Sequence, residues 1–503
     1  MLMVLFSVNG ETMNFLSVKS SYITNIGSAA EWSEFCATVN GGYDYSGVEV
    51  RLTDDIAVVS DIAGTSSNCF KGTFDGQGHT ITFSKTVTDN TQYTAPFGFI
   101  DGATIKNLKV TGTVTSNGRF AGGVVAYAKG SSTVTNCINS TVITSNAYGT
   151  SNGGIVGMVG GAGTLTITGC VFNGEMHGTV TEDWCGILGL SNTDCNATIT
   201  DCLFAPAAID EGLVGYTIFR QGNGGHASQS NCHYTQPMSN LEGTQVYSVT
   251  GVGNVILAMD CSINNEYNVS GLSYYDTGFT FDDIIYVANG ESLSLNLDYY
   301  NLPEGPGVAY SADHGTLSGD SNPYTLEMAA SNTTISATIL PLRSSNGNYY
   351  TWEYFAAHPR DCGETIYLEC DITVTTMVSG QSWNPNTAFN KTFDGQNHTI
   401  TMAIDTTINE AGLFRYTNNA FIQNLKLEGY IHSTSGNTAS LIGLSQEFVS
   451  IVDCHSNVTV SNADDQNGVA GFIAYASDIV RFLGCSFTGV LAGTSSEQNG
   501  GTS

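Results

Sequence analysis

Basic residues are scarce in this 503-residue chain: 15 Lys and Arg stand against 45 Asp and Glu, a formal net charge of −30. Such a surface repels polyanions, because nucleic-acid binding depends on Lys and Arg displacing condensed counterions. Nucleic acid is therefore excluded as a partner, and so is an acidic polysaccharide unless calcium bridges the two. Structural calcium is the one cofactor left open. Charge of either sign is thin, at 12% of residues, so the surface has to be mostly Ser, Thr, Asn, Gly and Tyr. Proline is rare (9) and glycine abundant (58) without a three-residue period, which excludes collagen and disordered linkers. No apolar run reaches the roughly 18–20 residues of a membrane span, which excludes membrane insertion within this chain. The 13 cysteines form no C-x-x-C pair and no Cys/His spacing of the zinc type, so no metal site is expected.

The termini carry little. Leu2–Val8 is apolar but short, with no basic region before it and no clear cleavage site. Residues 1–27 are read as an N-terminal segment that has room for a signal-peptide remnant. The closing "GTSSEQNGGTS" stops where a repeat would begin again, and the chain is expected to be a fragment of a longer protein.

What is present is repetition. "FDGQGHTITF" (Phe74–Phe83) returns as "FDGQNHTITM" (Phe393–Met402). After each copy the chain repeats a short apolar strand, a Gly/Ser/Asn turn, and a second strand ending near Asn, Gly or Asp. Leu108, Cys137, Cys170, Cys202 and Cys232 follow one another at intervals of 29–33 residues, as do Leu425, Cys454 and Cys485 at 29–31. One small apolar residue per coil at constant phase is the mark of a parallel β-solenoid, in which equivalent side chains stack into a ladder. Stretches such as Thr164–Phe172 are β-branched and alternate, which is strand chemistry.

Each solenoid has the same opening. Ser28 and Glu31 have capping-box spacing, and Trp32, Phe35, Cys36 and Val39 fall on one helical face. Trp352 and Phe355 repeat the spacing. An amphipathic helix of this kind closes the apolar end of a solenoid. Between the two, alternating strands with Gly/Asn/Pro turns and no cysteine ladder point to a β-sandwich. The expected fold is all-β: two right-handed parallel β-helices, residues 28–239 and 344–503, flanking a small sandwich module at 240–343.

The coils resemble the GLUG-motif repeats of bacterial cell-surface proteins. The carrying residues are "GGIVG" (Gly153–Gly157), "CGILG" (Cys185–Gly189), "SLIG" (Ser440–Gly443), "TNC" (Thr135–Cys137) and "SNC" (Ser230–Cys232). The central segment is similar to repeat domains of large bacterial surface proteins through "GESLSL", "YTLEM" (Tyr324–Met328) and "TTISATI", with Ala329 where those have Pro. The resemblance implies display, adhesion or spacing outside the cell, with glycans or host proteins as partners. It implies no single chemistry, since the same pectin-lyase-like fold hosts lyases and glycosidases.

In the decapeptide, Asp-Gly is a turn signal, and the Gly78/Asn397 exchange calls for positive φ. His79 and His398 are expected to sit partly exposed, and Phe74, Ile81, Phe393 and Ile400 to point inward. Ladder cysteines are expected as free core thiols, while Cys362 with Cys370 and Cys185 with Cys195 stay open as pairs. For the rival reading, a polysaccharide-degrading enzyme, carboxylate pairs are the machinery to look for. Thr181–Trp184, Asp54–Asp55, Asp282–Asp283, Asp464–Asp465 and Asp194–Asp201 supply them. The cations of the first solenoid are Arg51, Lys71, Lys85, Lys106, Lys109, Arg119, Lys129 and Arg220, and spacing places none beside an acid on the adjacent coil. Thr88–Phe99 and Asn264–Phe279 are the aromatic stretches best suited to carbohydrate. No catalytic residue is assigned and the ligand site is unknown. The expectation is a non-catalytic extracellular surface protein, with the enzyme and a structural stalk as alternatives.

Overall fold

The computed structural model describes residues 22–88, 93–116, 120–145, 151–178, 184–259, 271–275, 277–381, 383–463 and 468–493. The chain is nearly all β, 54% strand and 4% helix, and winds a parallel β-solenoid of about 15 turns. It divides into two compact units. One comprises Met1–Thr250, Met259–Leu295 and His314–Thr333, the other Gly251–Ala258, Asn296–Asp313 and Thr334–Ser503. The strands of 240–343 fall partly in one unit and partly in the other.

In the first unit, Glu49–Leu52, Thr73–Asp75, Thr104–Lys106, Ser131–Thr135, Thr164–Thr168, Asn196–Thr200 and His226–Ser230 stack in chain order, every pair parallel. Parallel neighbours repeat the same inward phase, so Val50, Phe74, Ile105, Val134, Ile167 and Ile199 form one fully buried column. The column ends at Gln229, opposite Ile199. The corner after these strands is turned by one left-handed residue per coil: Asn107, Asn136, Gly169, Asp201 and Asn231, at φ of 50–60°. Asn, Asp and Gly pay least for that conformation, which explains the recurring choice. The next residue then points inward, and it is Leu108 or a ladder cysteine.

The ladder thiols also bond. Each Sγ donates to the carbonyl two residues back, at 3.2–3.5 Å, and to a carbonyl of the preceding coil, at 3.4–3.9 Å. A cysteine therefore fills the corner as a small hydrophobe while its weak S–H donor serves carbonyls that the turn leaves facing inward. All twelve described cysteines are free, including Cys185, Cys195, Cys362 and Cys370. Where the Gly-rich motif opens a coil, a Cβ on Gly154 would lie 2.0 Å from the Gly186 carbonyl oxygen, so no side chain fits.

Helix α1 (Ala29–Asn40) closes the first solenoid. Ser28 caps it, Glu31 Oε2 accepts from both Ser28 Oγ and Gly27 N, and Trp32, Phe35, Cys36 and Val39 are buried. Trp32 meets Phe74 and Phe97 edge-on. Helix α2 (Trp352–Ala357) does the same for the second, capped by Thr351, with Phe355 against Phe389, Phe393 and Phe414. Above it, Thr365–Leu368, Thr392–Asp394, Phe414–Gln423 and Ile442–Val452 stack in parallel, again with left-handed corners at Asn424, Asp453 and Gly484.

Beyond the ladder, Thr244–Gly251 pairs parallel with His233–Tyr234 and antiparallel with Ile284–Ala288. This hairpin region lays Leu272, Phe279, Phe281 and Tyr286 over Val171 and Leu203, which point out of the solenoid. In the second unit, Gly307–Ala312 pairs antiparallel with residues 335–340.

Candidate functional site

The repeated decapeptide resolves into a turn. Asp75 Oδ1 accepts from Gln77 N and from Asn107 Nδ2 of the next coil, both at 3.0 Å. Asp394 Oδ1 accepts likewise from Gln396 N and Asn424 Nδ2, and its Oδ2 from Gln423 Nε2. Gly78 and Asn397 have φ of 83° and 66°, as their exchange requires. Gly76 is set by close approach: a Cβ there would lie 2.6 Å from Leu108 Cα, the foot of the ladder. His79 and His398 are about a third exposed and lie 3.4 and 3.2 Å from Asp55 and Asp371, beside the turn. The Asp stitches one coil to the next.

One expectation needs correction. Cations do sit at coil phase beside acids: Arg51, Asp75 and Lys106 occupy one column on three consecutive coils. Lys106 Nζ lies 3.3 Å from Asp75 Oδ2, and Lys71 Nζ lies 3.5 Å from Asp101. Asp75 and Lys106 are 31 residues apart, within the coil interval, so counting alone admits the pair; the four residues Gly76 to His79 fill the corner that Asn107 and Leu108 fill one coil later. Burial opposes the charge on Asp75, but Asn107, Gln77 and Lys106 outweigh it and lower its pKa. Both oxygens of Asp75 are engaged. In the second unit an amide, Gln423, takes the place of Lys106, so the stack is a structural tie that neutral donors also make.

The other carboxylate candidates disperse. Asp194, Asp201, Asp282 and Asp283 are left-handed turn residues, and Asp201 accepts from Asn231 Nδ2 at 2.6 Å. Asp55 accepts from Thr80 N. Residues 89–92, 181–183, 264–270 and 464–467 lie outside the described residues; Trp184 is buried. Tyr274 and Phe279 pack on His233 and belong to the covering hairpin. Burial holds His233 down at about 4. Among the described residues no group of three or more His, Cys, Asp or Glu is placed to hold a metal ion.

Sequence reasoning missed a further cluster. His177 is bonded by Glu175 at 2.8 Å and Asp210 at 2.7 Å, which raise its pKa in that order. Both ring nitrogens face carboxylates, so the ring is locked between them and has no free nitrogen to act as a base.

The more open site is a cleft of about 510 Å³ in the second unit, within the range of roughly 300–1,000 Å³ that holds small ligands. Its walls are residues 375–381, the end of Thr399–Thr406, and Arg415 from the next coil. Val378, Ile404 and Ile408 give an apolar base, and Asp405 and Arg415 the charges. Arg415 Nη1 donates to the Gly380 carbonyl at 2.7 Å, which leaves the rest of the guanidinium without a carboxylate partner among the described residues. Asp405 is exposed and accepts from Tyr430 Oη at 3.0 Å. A second hollow of about 400 Å³ shares Asp405, Thr406 and Ile408 and adds His432 and Thr434.

Asp405, His432 and Ser461 share one column, with His432 Nδ1 2.9 Å from Ser461 Oγ. This is no relay, because Asp405 engages Tyr430, and another column of the same sheet, six residues away, repeats the contact as His455 and Ser486 at 2.8 Å. Polar side chains on this face simply bond their stacked neighbours. Two residues beyond Gln381, Trp383 is 55% exposed at φ 61°, edge-on to exposed Tyr475 at 6.0 Å. A bulky residue at positive φ is an outlier that costs of order 1–3 kcal/mol, and such strain gathers at ligand clamps. No family model, curated protein or solved structure matches this chain.

Proposed function

We propose that this chain is a modular extracellular surface protein that binds glycans without catalysis, its two right-handed β-helices joined through a small β-sandwich spacer. The observation that carries the reading is the second-unit cleft, where an arginine and an aspartate, not paired with each other, share an apolar base. Saccharide hydroxyls donate to a carboxylate and accept from a guanidinium, while the C–H face of the ring lies on apolar carbons or an aromatic face. Trp383 and Tyr475 supply exposed aromatic surface of that kind. The scarcity of cations elsewhere on a chain of net charge −30 favours neutral glycans over polyanions.

The test is a glycan array with the intact chain and Arg415→Ala, followed by reducing-end and unsaturated-product assays on every hit. The reading expects binding that Arg415→Ala weakens, and no turnover. Turnover abolished by a single carboxylate substitution would replace it with the enzyme; no binding to any glycan or host protein would leave the stalk.

A further inference from the structure

The first unit carries the same cleft at the same place in the fold. Trp32 Nε1 of α1 donates to the Asp61 carbonyl at 3.0 Å, and Trp352 Nε1 of α2 to that of Thr376 at 3.1 Å, which aligns Asp61 with Thr376. Ala63 bridges Phe97 as Val378 bridges Phe414. Gly98 N donates to the Ala63 carbonyl as Arg415 N donates to that of Val378. The decapeptides then align Lys85 with Ile404. In this register a hollow of about 370 Å³ in the first unit is walled by Asp61, Ile62, residues 64–66, Lys85 and Gly98. Their counterparts all line the 510 Å³ cleft of the second unit.

The chemistry recurs from different positions. The first cleft takes its cation from Lys85, where the second has Ile404, and its carboxylate from Asp61, where the second has Thr376. The second takes Arg415 where the first has Gly98, and Asp405 where the first has Thr86. Copying a fold transmits residues at equivalent positions. It does not account for one cation and one carboxylate in each cleft from four non-equivalent ones. Tyr93 and Phe99, from an aromatic stretch already suited to carbohydrate, border the first cleft with their rings 4.4 Å apart.

We infer that each unit holds one binding site of a matched pair, both for neutral saccharide units bearing vicinal hydroxyls, so that one chain binds two. This rests on the glycan-binding reading and adds the number and place of the sites. In each, the cation donates to ring or hydroxyl oxygens and the carboxylate accepts from hydroxyls. Asp61 already accepts from Ser33 Oγ of α1 at 2.5 Å, so Lys85 and Tyr93 are the freer contacts of the first site.

Isothermal titration of the intact chain with cellobiose, maltose and N,N′-diacetylchitobiose tests this. The pair predicts two equivalents for at least one disaccharide. Lys85→Met and Arg415→Gln should each remove one equivalent, a tenfold or greater loss at the altered site alone. Tyr93→Ala and Asp405→Asn provide second variants should either fold poorly, which circular dichroism would reveal. One equivalent in the wild type, untouched by Lys85→Met and Tyr93→Ala, would overturn the pairing and leave the glycan-binding reading standing. No heat from any of the three would overturn the neutral-saccharide assignment of both sites.

Discussion

At the scale of residues, the repeated decapeptide is governed by backbone geometry. Its glycines answer to different constraints: Gly78 to positive φ, Gly76 to the ladder residue pressed against it. Gly78→Val should cost about 1–2 kcal/mol, the usual penalty for a β-carbon in the left-handed region. Gly76→Ala should cost about 1–3 kcal/mol through overpacking against Leu108. His79→Ala, at a partly exposed ring, should stay within about 0.5 kcal/mol. Urea midpoints of the three variants check the ranking, and a His79→Ala loss larger than that of Gly76→Ala would refute it. The turn was legible because the two copies differ inside at one position, and Gly and Asn share little except tolerance of that conformation. In the ion stack the 31 residues from Asp75 to Lys106 fit the coil interval and were legible, whereas Arg51 stands only 24 residues before Asp75 and falls short of it.

At the scale of elements, the solenoid and its caps could be read because their signals recur once per coil: an inward Leu or Cys, a left-handed Asn, Asp or Gly before it, a Trp-x-x-Phe helix at the start. The hydrogen bonds of the thiols could not, since spacing says nothing about carbonyl direction. Burial pushes the thiols of Cys137 and Cys202 well above the ordinary range. Cys137, Cys170, Cys202 and Cys232 are buried, so a disulfide reagent such as DTNB should leave them unmodified in the native chain, while part-exposed Cys485 reacts ahead of them. Rapid labelling of Cys170 without unfolding would contradict the ladder.

The covering hairpin makes a second prediction. His233, under Phe279 and Tyr274 and near Asp201, is held neutral down to about 4, chiefly by burial. An unfolded histidine titrates near about 6.5, so the folded state binds fewer protons below that value. The stability tied to this ring is complete above pH ~6.5 and declines as the pH falls toward 4. Thermal midpoints of the wild type should fall over that window more steeply than those of His233→Leu. Parallel curves would show that the ring is not buried in solution.

At the scale of the whole molecule, two solenoid-based units repeat a cap, a stitched turn and a cleft, while the strands of 240–343 are divided between them. Composition foretold the strand content. The clefts were beyond it, since their walls come from three separate segments and their charged residues changed positions between copies. Lys85 stood among the cations read from the sequence, but nothing there linked it to Arg415. On this reading the repeated decapeptide builds the fold and the clefts near it bind. The most direct measurement compares two double variants, His79→Ala/His398→Ala and Lys85→Met/Arg415→Gln, against the strongest hit of the glycan array. The account predicts that the histidine variant binds as the wild type does and that the cation variant, still folded by circular dichroism, loses binding. Loss of binding in the histidine variant, with full retention in the cation variant, would contradict it.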